Sequence, residues 1–261
     1  MKIIVCVKQV PDTNEVRIDP VKGTLIREGV PSILNPDDAN ALEAALALKD
    51  QNPGTTVTVL TMGPPQASIM LQECMAMGAD DAVLLCGRAF AGADTWATSN
   101  TLANAVKKMG GADIIFAGRQ AIDGDTAQVG PQLATRLDLP QVTYVQDVKL
   151  ENGNVTVQRQ LEDGYEVIEV GTPCLLTAVK ELNRSRYMSV GGIVNAVKKE
   201  ITVWDLPDLG IPADQVGLKA SPTQVFRSFT PPPKSGGQVF TGAVKDMVAQ
   251  TLGALKEKHL I

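Results

Sequence analysis

Asp113-Ile114-Ile115-Phe116-Ala117-Gly118-Arg119-Gln120-Ala121-Ile122-Asp123-Gly124-Asp125-Thr126-Ala127-Gln128-Val129-Gly130 decides the fold. Asp113–Ala117 is a short apolar run that reads as a buried strand. It is followed at once by a polar, glycine-punctuated loop and by a helix predicted over Thr126–Leu137. The same strand–loop–helix unit recurs upstream. Ile3–Val7 is a first strand, and Ala41, Leu42, Ala45 and Leu48 recur at helical spacing in Ala39–Lys49. Asn35-Pro36-Asp37-Asp38 precedes that helix, with both aspartates placed to favour its N-terminus. Thr56–Thr61 reads as a strand leading through Gly63-Pro64-Pro65 into a helix ending near Gly78, and Ala82–Cys86 as a strand before the helix Asp94–Met109. Short, continuously apolar strands separated by helices indicate an α/β fold: a doubly wound, mostly parallel sheet covered on both faces, of the Rossmann-like nucleotide-binding type.

The pattern changes near Pro140. Gln141–Leu150 and Asn154–Val170 read as extended segments joined at Glu151-Asn152-Gly153-Asn154, an Asn-Gly hairpin signal, and Leu175–Val179 as one more core strand. Asp12–Gly29 is a polar stretch, and the chain is loop-rich from about Pro207 onward. Pro231-Pro232-Pro233 and Ser235-Gly236-Gly237-Gln238 read as linker, ahead of a helix over Thr241–Leu255. At about 150 residues per domain, 261 residues make roughly 1.7 domains. A nucleotide-binding α/β domain over 1–220 and a C-terminal arm over 221–261 satisfy that figure. An arm with so little core of its own lies against this domain or against a partner.

Composition excludes several chemistries. Hydrophobic residues make up 44% and charged residues 20%, enough for a sizeable core. A net charge of −5 argues against a basic face for nucleic acid. No apolar run approaches the roughly 18 residues of a membrane span, and the N-terminal run is too short for a signal peptide, so a soluble cytoplasmic protein is expected. The single histidine is His259, and Cys6, Cys74, Cys86 and Cys174 are widely spaced with no C-x-x-C pair. Metal sites, disulfides and histidine-based catalysis are therefore not expected. No G-x-G-x-x-G follows the first strand and no Gly-Lys dipeptide occurs, which excludes a Walker loop.

Ligands of doubly wound sheets bind outside the carboxyl ends of the strands. Val7–Thr13, Thr61–Gln66, Cys86–Asp94 and Ala117–Gly130 fall there. Gly63 permits close backbone approach, and Pro64 and Pro65 suit a first helical turn whose N-terminus faces an anion. The amides of Thr126–Val129 are candidate phosphate donors. Asp123 or Asp125 either caps the helix there or accepts from ribose hydroxyls or an adenine amino group. With no apparatus for cleaving phosphate, the nucleotide is expected to be held and not hydrolysed.

Several stretches resemble the β (small) subunit of electron transfer flavoproteins, the FixA-like family. They are Val5-Cys6-Val7-Lys8-Gln9-Val10-Pro11-Asp12, Asn35-Pro36-Asp37-Asp38, Gly118–Gly130, Arg159-Gln160-Leu161-Glu162-Asp163-Gly164-Tyr165-Glu166-Val167-Ile168 and Pro173-Cys174-Leu175-Leu176-Thr177. The likeness covers about residues 1–210, and the tail more loosely. It implies an adenine nucleotide held at Cys6, Asn35, Met62, Gly63 and a loop of Asp123, Gly124, Asp125, Thr126, Ala127, Gln128 and Val129. AMP-binding members carry Asn-Gln-Thr or Asn-Gln-Ser where this chain has Ala127-Gln128-Val129. The loop as it stands is similar to the electron-bifurcating branch, in which FAD replaces AMP. Without the Asn and Thr side chains, polar groups that would meet a terminal phosphate are gone, which leaves room for a pyrophosphate and ribityl chain.

The bifurcating resemblance further implies NADH as electron donor; the mouth between Met62–Pro65 and Arg88–Asp94 is the expected entry, with Pro64 and Arg88 at its site, the alternative being that Arg88 is a solvated surface charge. It implies ferredoxin or flavodoxin as low-potential acceptor, and an α subunit, on which the arm packs, passing the other electron to an acyl-CoA dehydrogenase. Arg186-Tyr187-Met188-Ser189-Val190-Gly191-Gly192-Ile193 is similar to the family's recognition loop for those dehydrogenases, with Tyr187, Met188, Val190 and Ile193 as contacts, the alternative being an ordinary helix-entry turn. A leucine is usual where Val190 stands. The alternatives are an AMP-binding, non-bifurcating subunit and a free-standing nucleotide-binding module.

Overall fold

A computed structural model describes residues 1–12, 31–151, 153–226 and 236–261. Most of the polar stretch to Gly29, Asn152 of the hairpin turn, Pro231–Pro233 and Ser235 lie outside the described residues. The described residues up to Phe226 form one compact unit, and those from Gly236 onward belong to a second.

The larger unit contains β1 (Lys2–Cys6), β2 (Gln9–Pro11), β3 (Ser32–Leu34), α1 (Pro36–Gln51), β4 (Thr56–Met62), α2 (Ala67–Met77) and β5 (Asp81–Leu85). It continues with α3 (Thr95–Lys108), β6 (Ile114–Gly118), α4 (Val129–Leu137), β7 (Gln141–Glu151), β8 (Asn154–Gln160), β9 (Tyr165–Gly171) and β10 (Cys174–Ala178). It closes with α5 (Val190–Ala196), β11 (Thr202–Trp204), α6 (Leu206–Leu209) and α7 (Gly217–Ala220). The second unit carries α8 (Val244–Glu257).

Nine strands form one sheet in the order β11-β5-β4-β1-β6-β10-β7-β8-β9. Every neighbouring pair from β11 to β7 is parallel, and β8 and β9 extend the sheet antiparallel. Successive residues of the central strands serve opposite faces. Ile3, Val5, Ile114 and Phe116 pack in one core with Leu42, Leu46 and Leu71 of α1 and α2. Ile4, Cys6, Ile115 and Ala117 pack in the other with Leu102, Val106 and Leu133 of α3 and α4. Two buried faces are why these strands read as unbroken apolar runs. Each fully buried aliphatic or phenyl side chain contributes about 1.5–3 kcal/mol.

Four boundaries differ from expectation. First, α1 begins at Pro36, because proline suits a helix's first turn. Second, Pro64 and Pro65 precede α2 in a turn in which Ala67 donates to the Pro64 carbonyl (2.9 Å). Third, the segment expected as one extended run to Val170 is two strands, closed by a turn in which the Leu161 amide donates to the Gly164 carbonyl (2.9 Å). Fourth, α4 starts at Val129, because Asp125 (φ 55°) and Ala127 (φ 52°) are left-handed and cannot lie inside a right-handed helix.

Candidate nucleotide site at the topological switch point

After β1 the chain builds outward through β4 and β5, then returns to place β6 on the other flank of β1. The switch point therefore lies at the carboxyl ends of β1 and β6, where Cys6 stands opposite Ala117. Asp38, in the first turn of α1, ties the two ends together. One carboxylate oxygen accepts from the Lys8 amide (2.8 Å) and the other from the Gly118 amide (2.9 Å). Burial pushes the Asp38 carboxyl up to about 7, against the lowering effect of bonds from Asn35, Lys8 and Gly118. The approach is close enough to require glycine: a Cβ on Gly118 would stand 2.3 Å from an Asp38 carboxylate oxygen. Cys6 is buried beside this carboxylate, and burial raises its thiol to about 12, so it stays neutral and unreactive.

Asn35 is fully buried and its side chain fixes the loop after β6. Its amide nitrogen donates to the Gln120 carbonyl (2.9 Å), and its amide oxygen accepts from the Ile122 amide (3.1 Å). Farther along, the Lys8 ammonium meets Asp123 at 2.6 Å. Gln120 donates to Asp125. The amides of Gly124 and Asp125 close a turn onto the Ala121 carbonyl (3.2 and 2.8 Å). Neither aspartate caps α4: Gln128 occupies the cap position without a side-chain cap bond, its oxygen accepting instead from the Thr95 hydroxyl (2.9 Å).

The left-handed Ala127 followed by right-handed Gln128 turns consecutive amides toward one concavity, the arrangement of an anion-binding nest. Among the described residues, the amides of Thr126, Ala127, Gln128 and Val129 have no protein acceptor. No described residue approaches the Gly124 Cβ position within 4 Å. These open donors at the N-terminus of α4 fit the phosphates of a nucleotide. On the neighbouring strand end, Met62 is half-buried and the Gly63 amide is taken by the Leu85 carbonyl (3.1 Å), so Gly63 has no free donor. Pro64 and Arg88 are exposed at the ends of β4 and β5. No cluster of metal-ligating side chains occurs among the described residues.

The electron transfer flavoprotein domain matches residues 22–209, most of the chain and all of this crevice except the end of β1. The chain belongs to that family. It is 66% identical over 262 residues to the caffeyl-CoA reductase-Etf complex subunit CarD of Acetobacterium woodii, with 100% of both chains covered. It is 59% identical over 261 residues to the electron transfer flavoprotein subunit beta of Clostridium acetobutylicum, again over 100% of both. To Protein FixA of Azotobacter vinelandii it is 46% identical over 242 residues, 90% of this chain and 86% of the relative. It is an electron transfer flavoprotein subunit of the beta type.

This beta-type subunit presents a second surface, apart from the candidate nucleotide crevice. Tyr187 (88% exposed), Val190 (81%), Met188 and Ile193 all face outward. The backbone beneath them is clamped. The Arg186 guanidinium forks onto Glu43 (2.8 and 3.0 Å) and reaches Asp50 (2.8 Å), while its amide donates to Glu43 (3.0 Å). These bonds hold the guanidinium above its ordinary value. Asn40 and Asn183 exchange side-chain bonds of 2.8–3.0 Å. A Cβ on Gly192 would stand 2.1 Å from the Ala76 carbonyl, so α5 is pressed onto α2. A surface cavity of about 650 Å3 lies here between α2 and α5, lined by Met77, Asp80, Ser189, Asn195 and Lys199.

Sequence reasoning missed Asp38 as the tie between strands, Lys8 as the partner of Asp123, and the Arg119–Tyr144 contact. Arg119 lies over the Tyr144 ring (5.7 Å) and 3.4 Å from Asp37, whose carboxyl is raised by burial and lowered in part by Arg119. Tyr144 itself is left-handed (φ 58°) at a bulge in β7. The sequence signal for these roles was that Lys8, Asp38 and Arg119 fall within stretches shared with the family; Tyr144 falls in none of them.

Proposed function

We propose that this subunit holds FAD in the crevice between β1 and β6, pairs with an α subunit, accepts electrons from NADH and divides them between two acceptors. The observation that carries the reading is the loop 123–129, whose left-handed residues present four open amides at the switch point. The adenine nucleotide would rest on those amides and on the Thr126 hydroxyl, with Asn35 holding the loop from behind. Ala127 and Val129 offer no polar side chain to a terminal monophosphate, which favours a longer dinucleotide over AMP. When bound, FAD supplies the acceptor chemistry for hydride and single electrons. The chain's own residues bind, orient and shield it. One electron goes to ferredoxin or flavodoxin. The other passes through the α subunit to an acyl-CoA dehydrogenase docked on Tyr187, Met188, Val190 and Ile193. A cytoplasmic location belongs to the same reading. No helix among the described residues is long and apolar enough to cross a membrane.

On this reading NADH enters beside Pro64 and Arg88, both exposed at the ends of β4 and β5. An arginine–phosphate contact contributes on the order of 1.5–3 kcal/mol, or roughly ten- to a hundredfold in affinity. Arg88→Ala in the heterodimer is expected to raise the NADH concentration needed for half-maximal flavin reduction by that factor while leaving FAD content intact. Stopped-flow reduction by NADH, with dithionite as control, measures it. An unchanged NADH dependence removes Arg88 from the site, and a parent complex that dithionite reduces but NADH does not rejects the reading.

A further inference from the structure

We infer that Asp38 is the positioning residue of the nucleotide site: its carboxylate, accepting from the Lys8 and Gly118 amides, draws the ends of β1 and β6 together and sets where the loop 119–129 begins. The inference rests on the nucleotide reading above. Three observations support it. Asp38 is buried, and each of its oxygens takes an amide from a different strand end, 30 and 80 residues away in the chain. Gly118 is pressed so close that no other residue fits. Both bonded residues lead directly into the site: Lys8 reaches Asp123 of the loop, and the next residue after Gly118 begins it.

The arrangement is costly to the fold. A carboxylate that pairs with no cation among the described residues is held out of water. Asp37 lies beside it on α1, Cys6 of β1 and Cys74 of α2 feel its charge, Arg119 after β6 is turned to Asp37, and the Lys8 ammonium is engaged by Asp123. The folded value of Asp38, about 7, lies above the ordinary carboxylate value near 4, so folding takes up a proton between those limits. Asp38 therefore favours the fold most at low pH, and that contribution is lost as pH rises through about 7. Nucleotide grip runs the opposite way. A protonated Asp38 has one oxygen occupied by hydrogen and accepts poorly from one of the two amides. Loop placement therefore loosens as pH falls through neutrality.

Asp38→Asn keeps the shape, removes the charge and leaves one amide facing an NH2 group. In the heterodimer, the FAD dissociation constant, read from flavin fluorescence, is expected to rise in the parent between pH 8 and pH 6, by at most about tenfold per unit. Asp38→Asn is expected to bind FAD about tenfold more weakly at pH 8 and to lose the pH dependence, while its thermal midpoint in the absence of nucleotide is no lower than the parent's. A purely structural role would lower the midpoint and leave the slope. Parental affinity in Asp38→Asn, or a slope that survives the substitution, overturns the inference. If the variant fails to fold, the parent's own profile decides, and a flat one overturns it. A parent that excludes FAD but holds AMP rejects the FAD reading alone, and the same comparison is then made with AMP above pH 7. A parent that takes up neither nucleotide overturns both.

Discussion

Gly118→Ala is expected to empty the nucleotide crevice and to lower the stability of the subunit by about 1–3 kcal/mol. The added Cβ would meet not only the Asp38 carboxylate at 2.3 Å but the Asp38 backbone nitrogen at 2.8 Å and the Asp37 carbonyl carbon at 2.9 Å. Backbone in the first turn of α1 cannot swing aside as a flexible side chain does. Either α1 retreats, and the Lys8 and Gly118 amides lose their buried acceptor, or β6 shifts and carries the loop with it. For a chain of this size the cost corresponds to a fall of roughly 3–10 °C in thermal midpoint. Nucleotide content after gel filtration and thermal unfolding by circular dichroism measure the two effects. A variant with a parental midpoint and full nucleotide content would show that the close approach is dispensable.

Truncation after Phe226 is expected to abolish the heterodimer while leaving the α/β unit folded. In α8, Val244, Val248 and Leu252 recur at four-residue spacing, and all three are exposed. No residue of that 14-residue helix is buried, and an isolated helix of such length is marginal in water. Covering three such side chains contributes on the order of 5 kcal/mol, more than a thousandfold in Kd. We propose that the α subunit supplies that cover. The cut is placed after Phe226 because Ser221 and Thr223 belong to the larger unit. Ser221 accepts from the Asp94 amide (2.9 Å), and the Thr223 amide and hydroxyl donate to the Asp94 carboxylate (3.1 and 2.7 Å), alongside Ala97 at the start of α3. Sedimentation of co-expressed subunits tests it. A truncated subunit that still sediments as the heterodimer, or one whose circular dichroism collapses, contradicts the assignment.

How much of this was legible depended on the distance over which each feature is determined. The central strands were legible because burial on both faces leaves an apolar residue at every position, as in Ile114–Phe116. The hairpin after β7 was legible from Asn152-Gly153, although the turn at Leu161–Gly164 was not, since Glu162-Asp163-Gly164 sits within a stretch of otherwise continuous β-forming residues. The start of α4 was misplaced because alanine and threonine favour helix or are neutral to it. Only the packed loop holds Ala127 left-handed. The site loop could be found from its glycines and paired aspartates. Its support could not: Asp38 reads locally as a favourable charge at a helix start, and its bonds to Lys8 and Gly118 exist only once β1 and β6 are neighbours. Arg186 stands beside a run of exposed apolar residues, and its fork onto Glu43 spans 143 positions, beyond the reach of any local pattern.

The central claim is that the crevice between β1 and β6 holds FAD. The most direct measurement is the nucleotide content of the heterodimer purified from co-expressed subunits, with flavin and AMP each counted after denaturation against protein concentration. Two FAD and no AMP per heterodimer is the predicted result, because Ala127 and Val129 leave the end of the phosphate nest without polar side chains. One FAD and one AMP would contradict it.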